Sequence, residues 1–463
     1  MCACKQKTVT MLTKITALVP PTAEERKHIT ALEESSTLVS MVWATLCLLR
    51  SLGISILEEE IVRRNKACRP EAPCPHCGRR LESKGLVERT ILTLLGVINF
   101  KRSRYRCPNG CKGTSIIPLD KQLGLEPYQQ TSWESKYLGT LLCVFVPYNL
   151  ASHLLTQLTQ VKIHETSLWR WVQEAGERAR RLWEERLSAS EVPLEPMSAE
   201  IAQMMMILAA DGVMVPFRPY SGTPEGKTLW REVKIAVIAR LQEVKTASGK
   251  LYTRLVQRRL VAVLGDIEAL KQRMTWETKR QGIENAPKVV WISDGGVGYW
   301  RVFRECFAWC AVGILDFYHA ASHLSKAAHA YLDKDSQGAK LLFEAWRHLL
   351  RHGKHLKVLQ SLTRMVNTVE LSKDQMDILK KVQDYFATHR RHIAYANFEA
   401  EKFPLGSGLV ESACKWLIQQ RFKGVGMRWS ETGFENLLFL RLEWVNNRFD
   451  SLFPGLISVP PQP

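Results

Sequence analysis

The sequence predicts a multidomain α+β protein, and three observations favour this class. The chain has 463 residues, too many for one ordinary hydrophobic core, which favours two to four domains. Up to about residue 190, helical patterns flank a cysteine-rich stretch. From about residue 200, β-like runs alternate with a helix and are followed by a long helical stretch.

Changes in this pattern divide the chain into six predicted regions. The segment "SASEVPLEPMSAE" is polar, carries two prolines and is interpreted as a linker. The regions are a helical N-terminal region at 1–66, a cysteine-rich region at 67–120, a helical region at 121–190, the first part of an α/β core at 200–319, a helical insertion at 320–396 and the second part of the core at 397–450.

Five strands are predicted in the α/β core, with a helix between the third and the fourth. Each strand is a short run rich in apolar and β-branched residues. The five runs are "MMMILAADGVMVPF", "WREVKIAVIARL", "YTRLVQRRLVAVL", "KVVWISD" and "CAVGILDFYH".

Composition favours a folded chain with a polyanionic partner. Hydrophobic residues make up 46% of the chain, which excludes global disorder. The formal net charge of +18 favours nucleic acid as a partner, although a basic enzyme with a solvated surface has the same composition.

The sequence predicts a cytoplasmic protein that does not bind a membrane. No uninterrupted apolar run is expected to be long enough to span a bilayer, and "MCACKQKTVTMLTK" lacks a signal-peptide core. In that compartment the 12 cysteines are expected to be thiols or metal ligands rather than disulfides.

Two cysteine pairs predict a structural zinc ribbon. Cys74 and Cys77 form a CxxC knuckle, and Cys107 and Cys111 form a CxxxC knuckle. Tetrahedral Zn²⁺ takes four such ligands, and the intervening segment is predicted to be a hairpin that brings the knuckles together. His76 is an alternative ligand and Cys68 a weaker one. A redox CxxC would leave the second pair unexplained, and four unrelated thiols fit the spacing poorly.

Two basic segments are candidate DNA-binding surfaces. Arg102, Arg104 and Arg106 flank Tyr105 on the second strand of the hairpin, which suits phosphate contact, although a solvated hairpin face explains them nearly as well. In the helical region, a helix ending near Gln160, a short turn with Thr166 as a candidate N-cap and a second helix carrying Arg170 resemble a helix-turn-helix. A plain helical hairpin is the alternative.

Three acidic residues predict a divalent metal site. Asp211 and Asp294 each follow an apolar run and precede glycine, and Glu411 opens an amphipathic stretch after "PLGSGLV". Two strand-end carboxylates and one helical carboxylate are the arrangement by which RNase H-like folds hold two Mg²⁺ ions. Taken singly, each has an ordinary explanation as a turn residue or a solvent-facing helical residue.

Basic residues shortly after Glu411 are candidate contacts for DNA phosphates near that site. Tryptophans lie among them, and these are expected to pack in the core. The candidates are Lys415, Arg421, Lys423 and Arg428.

The chain resembles bacterial insertion-sequence DDE transposases of the ISKra/ISLre-like type, which are distantly Mutator-like. The resemblance spans residues from about 70 to 450 and rests on "RSRYRCPNGC", "AADGV", "ISDGG", "LDFYHAASHL", "GSGLVES" and "RFKGVGMRWSETGFENLLFLR". It implies an RNase H-like catalytic domain with an all-helical insertion, in which Asp211, Asp294 and Glu411 bind metal. It also implies that Asp316 positions a metal ion or one of its ligands and that His319 contacts a scissile or flanking phosphate. Without the resemblance, helix capping by Asp316 and packing of His319 explain these two residues equally well.

Further expectations follow from the resemblance. The activity would be cleavage and transfer of DNA strands, with two Mg²⁺ (or Mn²⁺) ions at the catalytic site and one structural Zn²⁺. The partners would be the element's terminal inverted repeats and target DNA, bound by a homodimer or higher oligomer in the bacterial cytoplasm, in association with the nucleoid. A domesticated DNA-binding regulator and a structure-selective nuclease of the RNase H fold are the alternatives.

Overall fold

The computed structural model describes most of the chain as two compact units. The first unit comprises Met1–Trp171 with Phe453–Pro463, and the second comprises Val172–Leu452. The described residues are 22–219, 227–245, 249, 251–332, 336–368 and 371–455. The first 21 residues of the predicted region at 1–66 therefore lie outside them, as do residues 333–335 and 369–370 of the predicted insertion.

Two helices come first in the described part of the first unit, α1 (Ala23–Glu33) and α2 (Leu38–Ala67). Both begin with a capping box, in which Thr22 pairs with Glu25 and Thr37 with Ser40. Each box satisfies backbone N–H groups that the first helical turn leaves unpaired. These local signals explain why the helices begin where they do.

Helix α2 corrects the expectation that no segment is long and apolar enough to cross a membrane. It contains a window of mean hydropathy 1.7, of which only 6% is buried. The sequence expectation was wrong because the polar residues that interrupt this run are mostly uncharged, and a few of them do not lower the mean hydropathy enough.

A β-hairpin follows, formed by β1 (Glu82–Thr93) and β2 (Gly96–Arg106) in antiparallel register. Its turn is Leu94–Leu95, and Gly96 opens β2 with a positive φ of 134°. The apolar face of the hairpin packs on α2 and on the short helix α3 (Pro118–Gln122). This core consists of Ile61, Ile91, Ile98, Phe100 and Leu119.

Three helices come next: α4 (Trp133–Phe145), α5 (Tyr148–Thr159) and α6 (Glu165–Ser188). Helix α5 ends at Gln160, whose φ of 56° lies in the left-handed region. Helix α6 already begins at Glu165, so the prediction of Thr166 as its N-cap is wrong. The ring of His164 instead accepts a hydrogen bond of 3.3 Å from the Thr166 backbone N–H. The boundary between the two units falls within α6.

A five-stranded mixed sheet forms the centre of the second unit, and its strands are the five that the sequence predicts. They are β3 (Met205–Phe217), β4 (Leu229–Lys245), β5 (Leu251–Leu264), β6 (Val289–Ser293) and β7 (Ala311–Leu315). The order is β5-β4-β3-β6-β7. Strand β4 runs antiparallel to both β3 and β5, whereas β3, β6 and β7 are parallel to one another.

Helices flank and connect these strands. Short helix α7 (Ala199–Ala202) precedes β3, α8 (Ile267–Arg280) connects β5 to β6, and α9 (Val297–Val302) follows β6 and continues as a π-helical turn. Because all five residues of β6 are buried, this strand is an unbroken apolar run rather than an alternating one.

A largely helical segment separates β7 from Glu411. Its described helices are α10 (Phe317–Tyr331), α11 (Gln337–Arg351), α12 (His355–Thr368), α13 (Lys373–Thr388) and α14 (Tyr395–Ala400). The chain then forms α15 (Gly408–Ala413), a π-helical turn, α16 (Gln420–Phe422) and α17 (Glu431–Val445).

Candidate functional sites

The four paired cysteines form a cluster suited to a metal ion. The Sγ atoms of Cys74, Cys77, Cys107 and Cys111 all lie within 4.8 Å of one another, and the Cys77 and Cys107 sulfurs are 3.4 Å apart. Neither His76 nor Cys68, the alternative ligands, belongs to the cluster. Four convergent thiols are the donor set of a tetrahedral zinc site, so this cluster could bind Zn²⁺.

The backbone of the two knuckles explains the convergence. The Gly78 N–H donates to the Cys74 carbonyl at 2.9 Å, and the Gly110 N–H donates to the Cys107 carbonyl at 3.1 Å. Both glycines have a φ of 68°, which a residue with a side chain rarely adopts. The thiols perturb one another, and backbone hydrogen bonding lowers the pKa of Cys77 to about 7.

Asp211 and Asp294 lie at the same level of the sheet. Strands β3 and β6 pair in parallel up to Ala210 and Ser293, and each aspartate is the next residue. Asp294 follows the last residue of β6, as predicted, whereas Asp211 lies within β3, opposite Ile235 of β4. The expectation that Asp211 ends its strand is corrected, because β4 continues to pair with β3 beyond the point where β6 stops.

Two hydrogen bonds and one close packing contact hold the loop that begins at Asp294. Asp294 Oδ1 accepts the Gly296 N–H at 2.9 Å, and the Asp294 carbonyl accepts the Trp300 indole N–H at 2.6 Å. A Cβ on Gly295 would lie 2.0 Å from Cε2 of Tyr385, so only glycine fits there. The Asp-Gly-Gly sequence is therefore both a turn and a close packing point for α13.

Glu411 comes from the first turns of α15 and is exposed. The helix changes to π-helical geometry three residues later, at Cys414–Gln419. Such π-turns are frequent at functional sites because they re-aim neighbouring side chains. Burial, together with the charges of Asp211 and Glu411, raises the pKa of the Cys414 thiol to about 12, so both carboxylates act on the same thiol.

The electrostatics of Asp211 connect the acidic residues. Burial raises the pKa of its carboxyl group, and the negative charges of Asp294 and Glu411 raise it further, while His319 lowers it. Asp294, Glu411 and His319 therefore all lie close enough to Asp211 for their charges to act on its carboxyl group. The carboxylates are less tightly clustered than the thiols, since within the described residues the cysteine set is the group whose ligand atoms lie within 4.8 Å.

Asp316 is buried, and its side-chain oxygens are both engaged. Oδ1 accepts the His319 backbone N–H at 2.7 Å, which caps α10, and Oδ2 accepts the Ser407 backbone N–H. Asp316 thus connects two segments. One is the start of α10, the helix that contains His319, and the other is the loop before Glu411. This geometry assigns Asp316 a positioning role, and the His319 side chain is exposed.

Tyr299, Glu232 and Tyr385 lie near the carboxylates and were not predicted from sequence. The Tyr299 hydroxyl donates to Glu232 Oε1 at 3.1 Å, and burial and then the charges of Glu232, Asp211 and Asp294 raise its pKa. Tyr385 stacks on His323 with ring centroids 4.1 Å apart, and its buried hydroxyl has no hydrogen-bond partner among the described residues.

A sequence signal exists for Glu232 but not for Tyr385. Glu232 and Lys234 face Met214 and Gly212 across β3 and β4, which hairpin register would indicate. Tyr385 is separated from Asp294 by four helices, so no local signal in the sequence indicates it.

The predicted basic residues of the hairpin differ in side-chain exposure and in ion pairing. Arg102 is paired with Asp120, which also binds Arg89, and the Arg102 side chain is only 13% exposed. Arg104 is half-buried, and Arg106 is exposed. Because Arg102 is paired with Asp120, its side chain stabilises the first unit and is not free to contact DNA.

The remaining predicted DNA contacts divide in the same way. Arg170 on α6 is exposed, next to the exposed Trp169. Arg421 is buried, with its guanidinium over the Trp429 ring at 5.4 Å, so it belongs to the interior. The exposed residues are Lys415, Lys423 and Arg428.

Comparisons with known proteins include a weak structural likeness. No family model and no curated protein matches the chain. Among solved structures, the chain is similar to a chain of the "Drosophila P element transposase strand transfer complex", with 12% sequence identity and a TM-score of 0.31. The match covers 72% of this chain and 96% of that chain. That TM-score is too low to establish a shared fold.

Proposed function

We propose that this protein is a DDE transposase of the ISKra/ISLre-like, distantly Mutator-like type, which cleaves element ends and transfers DNA strands. The observation that carries the proposal is that burial and the negative charges of Asp294 and Glu411 raise the pKa of the Asp211 carboxyl group. A partly buried carboxylate beside two further carboxylates is costly in a fold unless it binds a cation or a proton. Such a cluster beside the end of a parallel strand favours a metal-dependent site.

The sheet supports an RNase H-like interpretation of the second unit. An antiparallel β3-β4-β5 meander followed by parallel β6 and β7 is the plan of RNase H-like sheets. In such a domain the acidic residues come from the first strand, the fourth strand and a late helix, which agrees with Asp211, Asp294 and Glu411. Within this proposal, the core comprises 200–319 and 397–450, and 320–396 is the insertion.

The donor set fits Mg²⁺ or Mn²⁺, because hard divalent cations prefer carboxylate oxygens. Asp211, Asp294 and Glu411 would hold two ions, which when bound would supply Lewis-acid activation of the attacking and leaving oxygens. The raised pKa of Asp211 is consistent with this set, since added positive charge would relieve the repulsion among the carboxylates.

The other residues would position DNA rather than react with it. Exposed Lys415, Lys423 and Arg428 follow Glu411 and would contact phosphates close to the scissile bond. His319 would donate a hydrogen bond to a phosphate oxygen, and Asp316 would hold His319 and the loop before Glu411 in place. Transfer then depends mainly on positioning and charge, as in other phosphoryl transfers.

DNA recognition would depend on the first unit and on α6. In this proposal the four-cysteine cluster is a structural zinc site in a ribbon at 67–120, and the helical region is at 121–190. The residues expected to contact DNA there are Arg104, Arg106 and Arg170, because Arg102 is already paired with Asp120.

The test is a DNA cleavage and joining assay. Purified protein is incubated with Mg²⁺ and labelled duplexes that carry the terminal inverted repeats flanking the gene. We expect nicked ends and joined products from the wild type and at least a 1000-fold loss in Asp294→Asn, since removal of a central charge-stabilising group costs on this order. The control is Asp266→Asn, which alters an exposed helix cap outside the site.

Each of the other outcomes would indicate a different function or a different catalytic centre. Binding of end DNA without cleavage by the wild type would contradict the proposal and indicate a DNA-binding regulator. Cleavage of branched DNA without joining would indicate a structure-selective nuclease. Full activity in Asp294→Asn would show that the acidic residues are not the catalytic centre.

A further inference from the structure

An exposed apolar surface covers the first turns of α2. Seven large apolar side chains in this surface are between 44% and 76% exposed. The segment Leu38–Leu49 contains no charged residue. We call this surface the α2 stripe, and it consists of Leu38, Val39, Met41, Val42, Trp43, Leu46 and Leu49.

The α2 stripe is too large to be incidental. Single exposed apolar residues are normal on protein surfaces, but a contiguous patch of several hundred Å² marks an interaction surface. The seven side chains expose on the order of 800 Å² together, which is about what each partner contributes to a stable protein interface. The stripe is therefore large enough to form one side of such an interface.

The spacing within the stripe indicates what kind of partner this is. Val39, Val42, Leu46 and Leu49 follow one another at steps of three, four and three residues. This is the a/d pattern of a coiled coil, with Val39 and Leu46 at a and Val42 and Leu49 at d, and such side chains pack against the same positions of a second helix. A surface with this pattern is complementary to itself and suits a symmetric interface.

The opposite side of α2 argues against a bilayer as the partner. Ala44 and Leu48 on that side are buried. Further along, Ser55 donates to Glu25 at 2.7 Å, and Glu58 accepts the Asn99 N–H at 2.6 Å. A membrane-spanning helix needs lipid on all sides, so these contacts would have to break.

We propose that the α2 stripe is a homodimerisation surface, on which α2 of a second copy of this chain packs as a short coiled coil. The proposal does not depend on the enzymatic function. Its consequence is that two chains are joined through their first units before any DNA is present.

Sedimentation velocity of the full-length protein without DNA tests the proposal. We expect the wild type to sediment as a dimer and Val42→Glu/Leu49→Glu to sediment as a monomer, with self-association weakened about 100-fold or more, as for loss of two interface hot spots. Both substituted positions are exposed in the single chain, so the variant should keep its circular dichroism spectrum. The matched control is Leu158→Glu, at a position that is 72% exposed on α5, and it should remain dimeric.

Other results would overturn the proposal. A monomeric wild type, or a dimeric Val42→Glu/Leu49→Glu variant, would show that the stripe does not join two copies. Flotation of the wild type with phospholipid vesicles, lost in the variant, would identify a membrane as the partner. A chain that is monomeric until residues 1–21 are deleted would identify that segment as the cover.

Discussion

Gly295 is the residue at which the loop after β6 contacts the helical segment. Any side chain there would overlap the Tyr385 ring, which itself stacks on His323. Burial lowers the pKa of His323 to about 4, so its ring is neutral at physiological pH and packs as an uncharged aromatic group. The second residue of the Asp-Gly-Gly turn is therefore restricted to glycine by its packing with α13.

We predict that Gly295→Ala lowers the free energy of unfolding by about 2 kcal/mol, because overpacking of a tight site costs this order of energy. Chemical denaturation followed by tryptophan fluorescence measures the loss. Gly408→Ala is the matched control, since a Cβ at Gly408 has no neighbour within 4 Å. The double variant Gly295→Ala/Tyr385→Ala should show a favourable coupling. Strictly additive costs would mean that the two residues do not oppose each other.

Asp211 shows how the proposed function conflicts with stability. Its carboxyl pKa is raised in the folded protein, so the native state binds the proton more tightly than the unfolded chain does. At a pH above the folded pKa the charged group destabilises the fold. This cost is absent below the ordinary carboxyl pKa, where the group is protonated in both states.

We therefore predict that Asp211→Asn stabilises the metal-free protein at pH 7 by about 1 kcal/mol, as other substitutions that relieve functional strain do. Asparagine can still accept the Gly212 N–H, which lies 2.7 Å from Oδ1. Thermal unfolding in chelator measures the effect, and the advantage should shrink towards pH 4. Added Mg²⁺ should stabilise the wild type and not the variant. A variant that is less stable than the wild type at pH 7 would contradict this electrostatic account.

Residue identity and spacing predicted the cysteine cluster but not which of the candidate arginines are exposed. Arg102 and Arg421 look like DNA contacts in the sequence, yet one is paired with Asp120 and the other is buried. Their partners are distant in the sequence or belong to a packed core. Local spacing carries no information about such partners.

At the scale of elements, the four-cysteine cluster and the β-hairpin depend on each other. The knuckle Cys74–Cys77 precedes β1 and the knuckle Cys107–Cys111 follows β2, so the hairpin sets the distance between the two ligand pairs. A bound ion would in turn hold the open ends of the strands together.

We predict one Zn²⁺ per chain, with its loss in Cys107→Ser accompanied by a lower melting temperature. Metal binding by four thiolates contributes directly to folding energy. Elemental analysis and calorimetry measure the two effects. Cys47→Ser is the control, because Cys47 lies on α2 outside the cluster. Stoichiometric zinc in Cys107→Ser would mean that the ion is bound elsewhere.

Sequence patterns predicted the elements better than their ends. The five strands follow from apolar runs, and α6 from its periodicity. The predicted run "MMMILAADGVMVPF" agrees with β3 to its end at Phe217, but the description of Asp211 as a strand-end residue was wrong, because pairing with β4 continues beyond it. The start of α6 was misjudged because the His164 ring, and not a hydroxyl group, accepts the N–H at the start of the helix.

At the scale of the whole molecule, the long gap between Asp294 and Glu411 explains the helical segment. The proposed function places the carboxylates in one site, and five described helices, α10 to α14, separate β7 from α15. The sequence indicated an insertion because the gap exceeds what a minimal α/β core needs. The contact of Tyr385 with Gly295 could not be predicted, since it depends on how α13 packs against the sheet.

The central claim is that Asp294 binds a divalent metal directly during DNA strand transfer. The most direct measurement compares Asp294→Cys in Mg²⁺ and in Mn²⁺, using the joining of labelled element ends. A thiolate is a poor ligand for Mg²⁺ and a better one for the softer Mn²⁺. We predict no joining in Mg²⁺ and recovery of at least a tenth of the wild-type rate in Mn²⁺, while Asp294→Ala is inactive in both. Equal inactivity of Asp294→Cys in the two metals would contradict the claim.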